Sequence, residues 1–196
     1  SVDFAGLYRS LQKIPQLSLR NVTINLHTFD GELLSFSDGL ATIANRDDTH
    51  YLHANLSLAD SPEEMALSVE VTGNELADMG GQMHVELPHA DYSELFHRQT
   101  LEDLSIGEMF GGGHFWLTFV GGELSEFTSE LELDTLALLS SASDSLSLRD
   151  LSGKVGLVRQ SFDNSWELSF SDMRLTWQEL RWSPFNVYMS LKPQNS

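Results

Sequence analysis

Large apolar residues recur at every second position through most of this chain. The stretch SWELSFSDMRLTWQEL (165–180) shows the pattern at its clearest. Trp166, Leu168 and Phe170 alternate with polar residues, Ser171-Asp172 interrupts, and Met173, Leu175 and Trp177 alternate again. A period of two places side chains i, i+2 and i+4 on one face of a β-strand. The stretch therefore predicts two strands back to back, each with one apolar face.

The same period organises the rest. Leu17 and Leu19 alternate, and after Arg20-Asn21 the phase shifts to Val22, Ile24 and Leu26, the mark of a β-bulge. Asp30-Gly31 predicts a hairpin turn, a weaker strand follows over 32–44, and Asn45-Arg46-Asp47-Asp48 predicts a second turn. Next come Leu52, Ala54, Leu56 and Leu58, then Leu67, Val69 and Val71, then Met83, Val85 and Leu87, with Pro88 expected to end the strand. Gly111-Gly112-Gly113 reads as a turn or bulge introducing Phe115, Leu117 and Phe119. Leu131 and Leu133, Leu136 and Leu138, Leu146 and Leu148, Val155 and Leu157, and Phe185 to Leu191 supply the remaining strands.

Two segments break the rule. Phe4, Leu7, Tyr8, Leu11 and Ile14 stand at helical spacing before Pro15, which predicts a short N-terminal helix, and HADYSELFHRQ (89–99) predicts a second short helix. The sum is a mainly β, antiparallel, meandering chain of about a dozen strands of six to nine residues. Composition is even throughout, so 1–196 is expected to be a single β-rich domain.

Charge and cysteine content exclude whole classes of function. Asp plus Glu number 29 against 11 Lys plus Arg, a formal net charge of −18. Nucleic acid is a poor partner for such a chain, since its recognition relies on basic residues displacing phosphate counterions. The absence of cysteine removes disulfides, thiol nucleophiles, thiolate zinc sites and iron–sulfur clusters together. No apolar run approaches the roughly 18 residues that span a bilayer. The chain opens Ser1-Val2-Asp3 with neither an initiator Met nor a signal peptide, so we expect a segment of something longer, with any membrane anchor outside it.

Catalytic and metal motifs are weak. On a strand, His50 and His53 fall on opposite faces. His84, Glu86 and His89 make a better metal group but lack an assignable partner motif, so no metal and no cofactor are expected. Ser10-Leu11-Gln12-Lys13 matches SxxK without its companion elements. Carboxylate pairs such as Asp47-Asp48, Glu63-Glu64 and Glu130-Glu132 are expected by number alone in so acidic a chain. The Asn21 and Asn55 sequons matter only in a glycosylating host. The chain is expected not to be an enzyme. The apolar faces either fill the core between two packed sheets, the commoner arrangement, or line an open groove on one long sheet, and periodicity does not separate the two.

Two blocks carry a resemblance. LSLRNVTINLHTFDGELLSFSDGLATIANRDDTHYLHANLSLADSPEEMALSVEVTGN (17–74) and LSLRDLSGKVGLVRQSFDNSWELSFSDMRLTWQELRWSP (146–184) resemble the YhdP-type members of the AsmA-like envelope proteins (AsmA, TamB, YhdP) of Gram-negative bacteria. The shared features are a strand ending at Gly31, a His50 turn leading into Leu52-x-Ala54-x-Leu56, a strand closing at Gly73, a turn at Gly153, and strands at Trp166 and Trp182. The blocks cover about half the chain, and 89–113 has no counterpart. The resemblance implies an antiparallel sheet curled into an open groove. It also implies an N-terminal-side periplasmic segment of an inner-membrane-anchored protein whose groove conducts phospholipid acyl chains between the inner and outer membranes. The partners it implies are phospholipid, the membrane through an anchor outside this chain, and other envelope proteins. Groove candidates are Leu52, Leu56, Val69, Val71, Val85, Phe115, Leu117, Phe119, Leu131, Leu133, Trp166, Leu168, Phe170, Leu175 and Trp177. The alternative is a ligand-free β-sandwich that serves as a structural or interaction module of the envelope.

Overall fold

The computed structural model describes residues 10, 13–27, 33–58, 64–73, 75–93, 100–101, 104–140, 145–162 and 164–191. The predicted helix over 4–14 and the Asp30-Gly31 turn fall almost wholly outside them. The chain is mainly β. Its strands are β1 (Gln16–His27), β2 (Leu33–Arg46), β3 (Thr49–Leu58), β4 (Glu64–Thr72), β5 (Gly80–Asp91), β6 (Thr100–Leu101), β7 (Leu104–Val120), β8 (Glu123–Ser140), β9 (Ser145–Arg159), β10 (Trp166–Trp177), β11 (Leu180–Arg181) and β12 (Phe185–Leu191). A 3-10 turn, Leu76–Asp78, precedes β5.

All twelve strands belong to one sheet of order β1-β2-β3-β4-β5-β7-β8-β9-β10-β11, with β6 beside β7 and β12 beside β10. The order never returns to β1, so the sheet is open. The described ladders are antiparallel, and hairpins join most neighbours. Gly121-Gly122 (φ 60° and 75°) turns β7 into β8, and Gln178-Glu179 (φ 47° and 64°) turns β10 into β11. Two consecutive positive φ values are what a tight two-residue hairpin needs to match strand twist.

Most strands are longer than the six to nine residues expected. β7, β8 and β9 have 17, 18 and 15 residues. The reason is that several apparent breaks are bulges within continuous strands. Asn21, Asp38, Asp150 and Asp172 all sit inside strands with φ between 50° and 55°. Asn and Asp adopt this left-handed conformation more readily than other side chains, and one such residue lets a strand absorb an extra position. The ladder registers shift at Ser37/Leu40 and at Ser171/Arg174. The Asn21 bulge agrees with the phase shift in the sequence. Ser171-Asp172, by contrast, does not separate two strands: β10 runs through it.

Three further expectations are corrected. Gly111-Gly112-Gly113 is neither a turn nor a strand start but the middle of β7. A Cβ on Gly111 would lie 2.3 Å from the Glu132 carbonyl oxygen, and one on Gly112 would lie 2.6 Å from that of Leu87. The triplet thus lets β5 and β8 close on β7 from both sides. Pro88 does not end its strand, which continues to Asp91. The described β4 ladder reaches Ala66↔Glu86, and proline is tolerated in a strand where no ladder bond needs its missing N–H. His89–Asp91 is therefore strand rather than the start of a helix, while residues 94–99 lie outside the described residues.

The chain divides into two compact units. The first is Ser1–Asn25, Ser35–Glu86 and Phe115–Phe127; the second is Leu26–Leu34, Leu87–His114 and Thr128–Ser196. In the second, Leu133, Leu151 and Met173 form a buried cluster, with Met109, Leu136, Leu148, Phe170, Leu175 and Phe185 packed on it. Tyr92, only 1% exposed, closes the start of this unit: its hydroxyl donates to the Pro88 carbonyl at 2.6 Å, and its amide donates to that of Met109.

Candidate apolar binding face

In the first unit the register assembles apolar side chains into rows. Ile43, Leu52, Val69 and Met83 are successive partners across β2, β3, β4 and β5, and Ala41, Ala54, Leu67 and Val85 form the next row. Directly paired residues point to the same face, so four strands present one continuous apolar surface. Val71 stands over Gly81 and Leu56 over Met65. On β7, Trp116 stacks on His84, ring centroids 5.0 Å apart, and His84 belongs to the face opposite Val85. Phe115, Leu117 and Phe119 alternate with Trp116 and therefore join the apolar side, where Phe115 approaches Phe127 at 6.3 Å.

In the second unit, Leu168 pairs with Leu157 and Met189, Phe170 with Val155 and Val187, Met173 with Phe185, and Trp177 with Leu148 and Leu180. Trp166 registers with Arg159 on one side and Leu191 on the other. Trp177, Trp182 and Phe185 form an aromatic run with centroid separations of 6.3 and 6.0 Å.

The groove candidates separate cleanly. Leu52, Leu56, Val69, Val71, Val85, Phe115, Leu117 and Phe119 lie in the first unit; Leu131, Leu133, Trp166, Leu168, Phe170, Leu175 and Trp177 lie in the second. Only Leu56, Val71 and Leu133 among them are buried, Trp177 is exposed, and the rest are half-buried. A side chain sealed between two packed sheets would be inaccessible, whereas these keep part of their surface open. Several members were not among the candidates: Ile43, Leu67, Met83, Leu151, Val155, Leu157 and Met173. Alternation marks most of them as strand residues. Leu151 and Met173 follow the bulges at Asp150 and Asp172, which move the apolar phase by one position.

The opposite face carries the charge. Glu70 pairs with Tyr51 and Gln82, Glu86 with Ala66, and Glu167 with Val158 and Ser190, each alternating with apolar-face residues. Glu130, Glu132 and Asp134 likewise alternate with Leu131 and Leu133. The acids that give the chain its −18 charge therefore stand, along these strands, behind the apolar face rather than on it. Lys154 donates to Glu130 at 2.5 Å, and this hydrogen bond is the main reason the Glu130 carboxyl is held below, and the Lys154 ammonium above, its ordinary pKa.

The metal candidates do not converge. His84 stacks on Trp116, His89 approaches Asp134 at 3.2 Å, and no three His, Asp or Glu among the described residues could hold an ion. His50, 7% exposed, hydrogen-bonds Asn45, which in turn donates to the Ile14 carbonyl. His53 bonds Ser68. These contacts tie strands together.

The described strands thus form an open antiparallel sheet with an accessible apolar face and an acidic face. The family model of YhdP protein matches residues 3–196, and the chain belongs to the YhdP family, an envelope protein family. Comparison with curated proteins and with solved structures finds no match.

Proposed function

We propose that the apolar face binds phospholipid acyl chains. On this reading the chain is a periplasmic segment of an inner-membrane-anchored protein that passes phospholipid between the inner and outer membranes. The observation that carries it is the incomplete burial of the rows built on Leu52, Val69, Phe115, Leu117, Leu168 and Phe170. Each methylene moved from water onto such a surface is stabilised by about 0.8 kcal/mol, so a track several residues long holds an acyl chain without a specific polar contact. The acidic face, turned away, leaves the track free of charge repulsion. The work is binding and transfer, with no bond made or broken, so no catalytic residue and no cofactor enter.

A two-sheet sandwich would make the same residues a sealed core; that the described strands form one sheet supports the open face. The test is native mass spectrometry of the chain purified from a bacterial host, followed by organic extraction. Phospholipid should co-purify and should be lost in Leu117→Asp or Phe170→Asp variants that keep the β-sheet circular dichroism of the parent. A folded parent that carries no lipid and takes up none from added vesicles sinks the reading.

A further inference from the structure

The basic residues of this acidic chain are unevenly placed. Residues 146–196 hold six Lys and Arg against five Asp and Glu, a net of +1, which leaves −19 for residues 1–145. Two of the six, Arg174 and Arg181, line one surface cleft with Trp182, Ser183 and Pro184, about 380 Å3 in volume. That size is within the range of ~300–1,000 Å3 usual for small-molecule sites.

The fold explains why these two residues line one cleft. Arg174 and Thr176 are two positions apart on β10, and Arg181 is the register partner of Thr176, so both guanidiniums rise from the face opposite Trp177. The Trp182 amide donates to the Leu175 carbonyl at 2.9 Å, and its ring packs between Trp177 and Phe185. Pro184 stiffens the exit from the cleft.

The neighbouring carboxylates have other partners. Asp150 accepts from the Thr176 hydroxyl at 3.0 Å, Glu179 pairs with Arg149 at 3.7 Å, and Asp172 acts on the Lys154 ammonium. Among the described residues, Arg174 and Arg181 form no ion pair. Two like charges lining one cleft repel each other, and an anion between them removes that repulsion.

The geometry points to an anion site in this cleft, with Arg174, Arg181 and the Ser183 hydroxyl as donors and a phosphate group as ligand. Arginine's planar fork matches phosphate oxygens two at a time, and a wall of Trp182 and Pro184 suits a ligand with an apolar part beside its charge. Phosphate chemistry reaches such a site either as the free anion or as the headgroup of a lipid. The site stands on the polar face and does not depend on acyl-chain binding by the other face.

The test is isothermal titration calorimetry at low ionic strength with two probes, inorganic phosphate and dihexanoyl phosphatidylglycerol kept below its micelle concentration. Saturable one-site binding is expected, weakened at least tenfold in Arg174→Gln and in Arg181→Gln. It should be unchanged in Arg149→Gln, whose partner is Glu179. Arg181→Lys keeps the charge but not the fork and should fall in between. Tighter binding of the lipid than of phosphate assigns the headgroup; equal or tighter phosphate assigns the free anion. No saturable heat with either probe, or equal affinity in the parent and both glutamine variants, overturns the site. Lipid that co-purifies with the parent and is unaltered in these variants, together with no saturable heat from either probe, would leave the acyl-chain reading standing and remove this one.

Discussion

Strands β2–β5 and strands β9–β12 carry the same alternation, yet they bury it to different depths. In the first group Ala54, Leu56 and Val71 are 4–7% exposed, and the rows around them are half-covered. In the second, Leu151 and Met173 are as well buried, but one strand further out Val187, Met189 and Leu191 are 38–49% exposed. The difference is a matter of neighbours. β3 and β4 have a strand on either side, whereas among the described residues β12 pairs with β10 alone. A side chain on a sheet is covered chiefly by the side chains of the flanking strands, so identical sequence patterns give core at one place and open apolar surface at another. Deep burial also goes with a glycine on the adjoining strand: Val71 faces Gly81, and Met173 lies over Gly153. The missing Cβ lets the partner side chain lie down on the backbone.

The sharpest way to break this comparison is to restore a Cβ in each region. Gly81→Ala places one 2.1 Å from the Glu70 carbonyl oxygen and 2.6 Å from the Val71 Cα, at φ 152°. Gly153→Ala places one 2.5 Å from the Met173 sulfur, at φ 146°. Both carry a backbone penalty of about 1–3 kcal/mol; the nearest atom at Gly81 is backbone, while at Gly153 it is a thioether that can yield, with the Met173 Cα next at 2.9 Å. Gly81→Ala should therefore cost the most, roughly 3 kcal/mol or more once the clash is added, and Gly153→Ala less. Met173→Ala should recover part of the second loss and none of the first. Urea unfolding of the three single variants and the two double variants measures this; equal losses at the two glycines would show that the packing partner is irrelevant.

A smaller effect separates core from edge. Leu56→Ala removes a side chain that is 4% exposed and should cost about 2–5 kcal/mol. Val187→Ala, at 38% exposed on β12, should stay within about 0.5 kcal/mol. If the protein binds acyl chains, the ranking reverses for binding, because only the accessible residue is free to touch a ligand. A Val187 loss as large as that at Leu56 would mean that β12 is covered by something.

Much of this was legible in advance. Period-two patterning gave the mainly β class, most strand positions and the face on which the candidates lie, and the Asn21 phase shift located a bulge. Strand ends were misread wherever a turn-forming residue type serves another purpose. Asp172 and the triplet at 111–113 read as breaks because Asp and Gly favour turns. In the fold the first is an αL bulge inside β10, and the second is a close-approach seam between neighbouring strands. Pro88 misled for a similar reason, since a proline stops a strand only where the ladder requires its N–H. Openness was not legible at all: whether Leu168 meets a second sheet or solvent depends on partners hundreds of atoms away in the chain, and alternation records only which side it faces.

The smallest effect concerns charge, and it again contrasts two places. Glu130 is lowered by its hydrogen bond to Lys154 and by that residue's charge, whereas Asp91 is lowered by hydrogen bonds from the Ser93 side chain and backbone, the latter at 2.9 Å. A carboxylate whose pKa is depressed by folding stabilises the fold above its unfolded value and loses that contribution as pH falls through the folded one. For Lys154, raised by the same bond, the contribution is present below the unfolded value of 10.5 and is lost as pH rises through the folded one. The pair therefore supports the fold between these limits and fades at both ends. Salt screens exposed charges but not a hydrogen bond to a backbone amide. Carboxyl titration by NMR should find both groups below their ordinary values at low salt. In 1 M NaCl, or in Lys154→Met, Glu130 should move back toward 4.5 while Asp91 stays lowered. A Glu130 titration indifferent to both changes would mean that the Lys154 contact does not persist in solution, and that the acidic face is held in place by strand pairing alone.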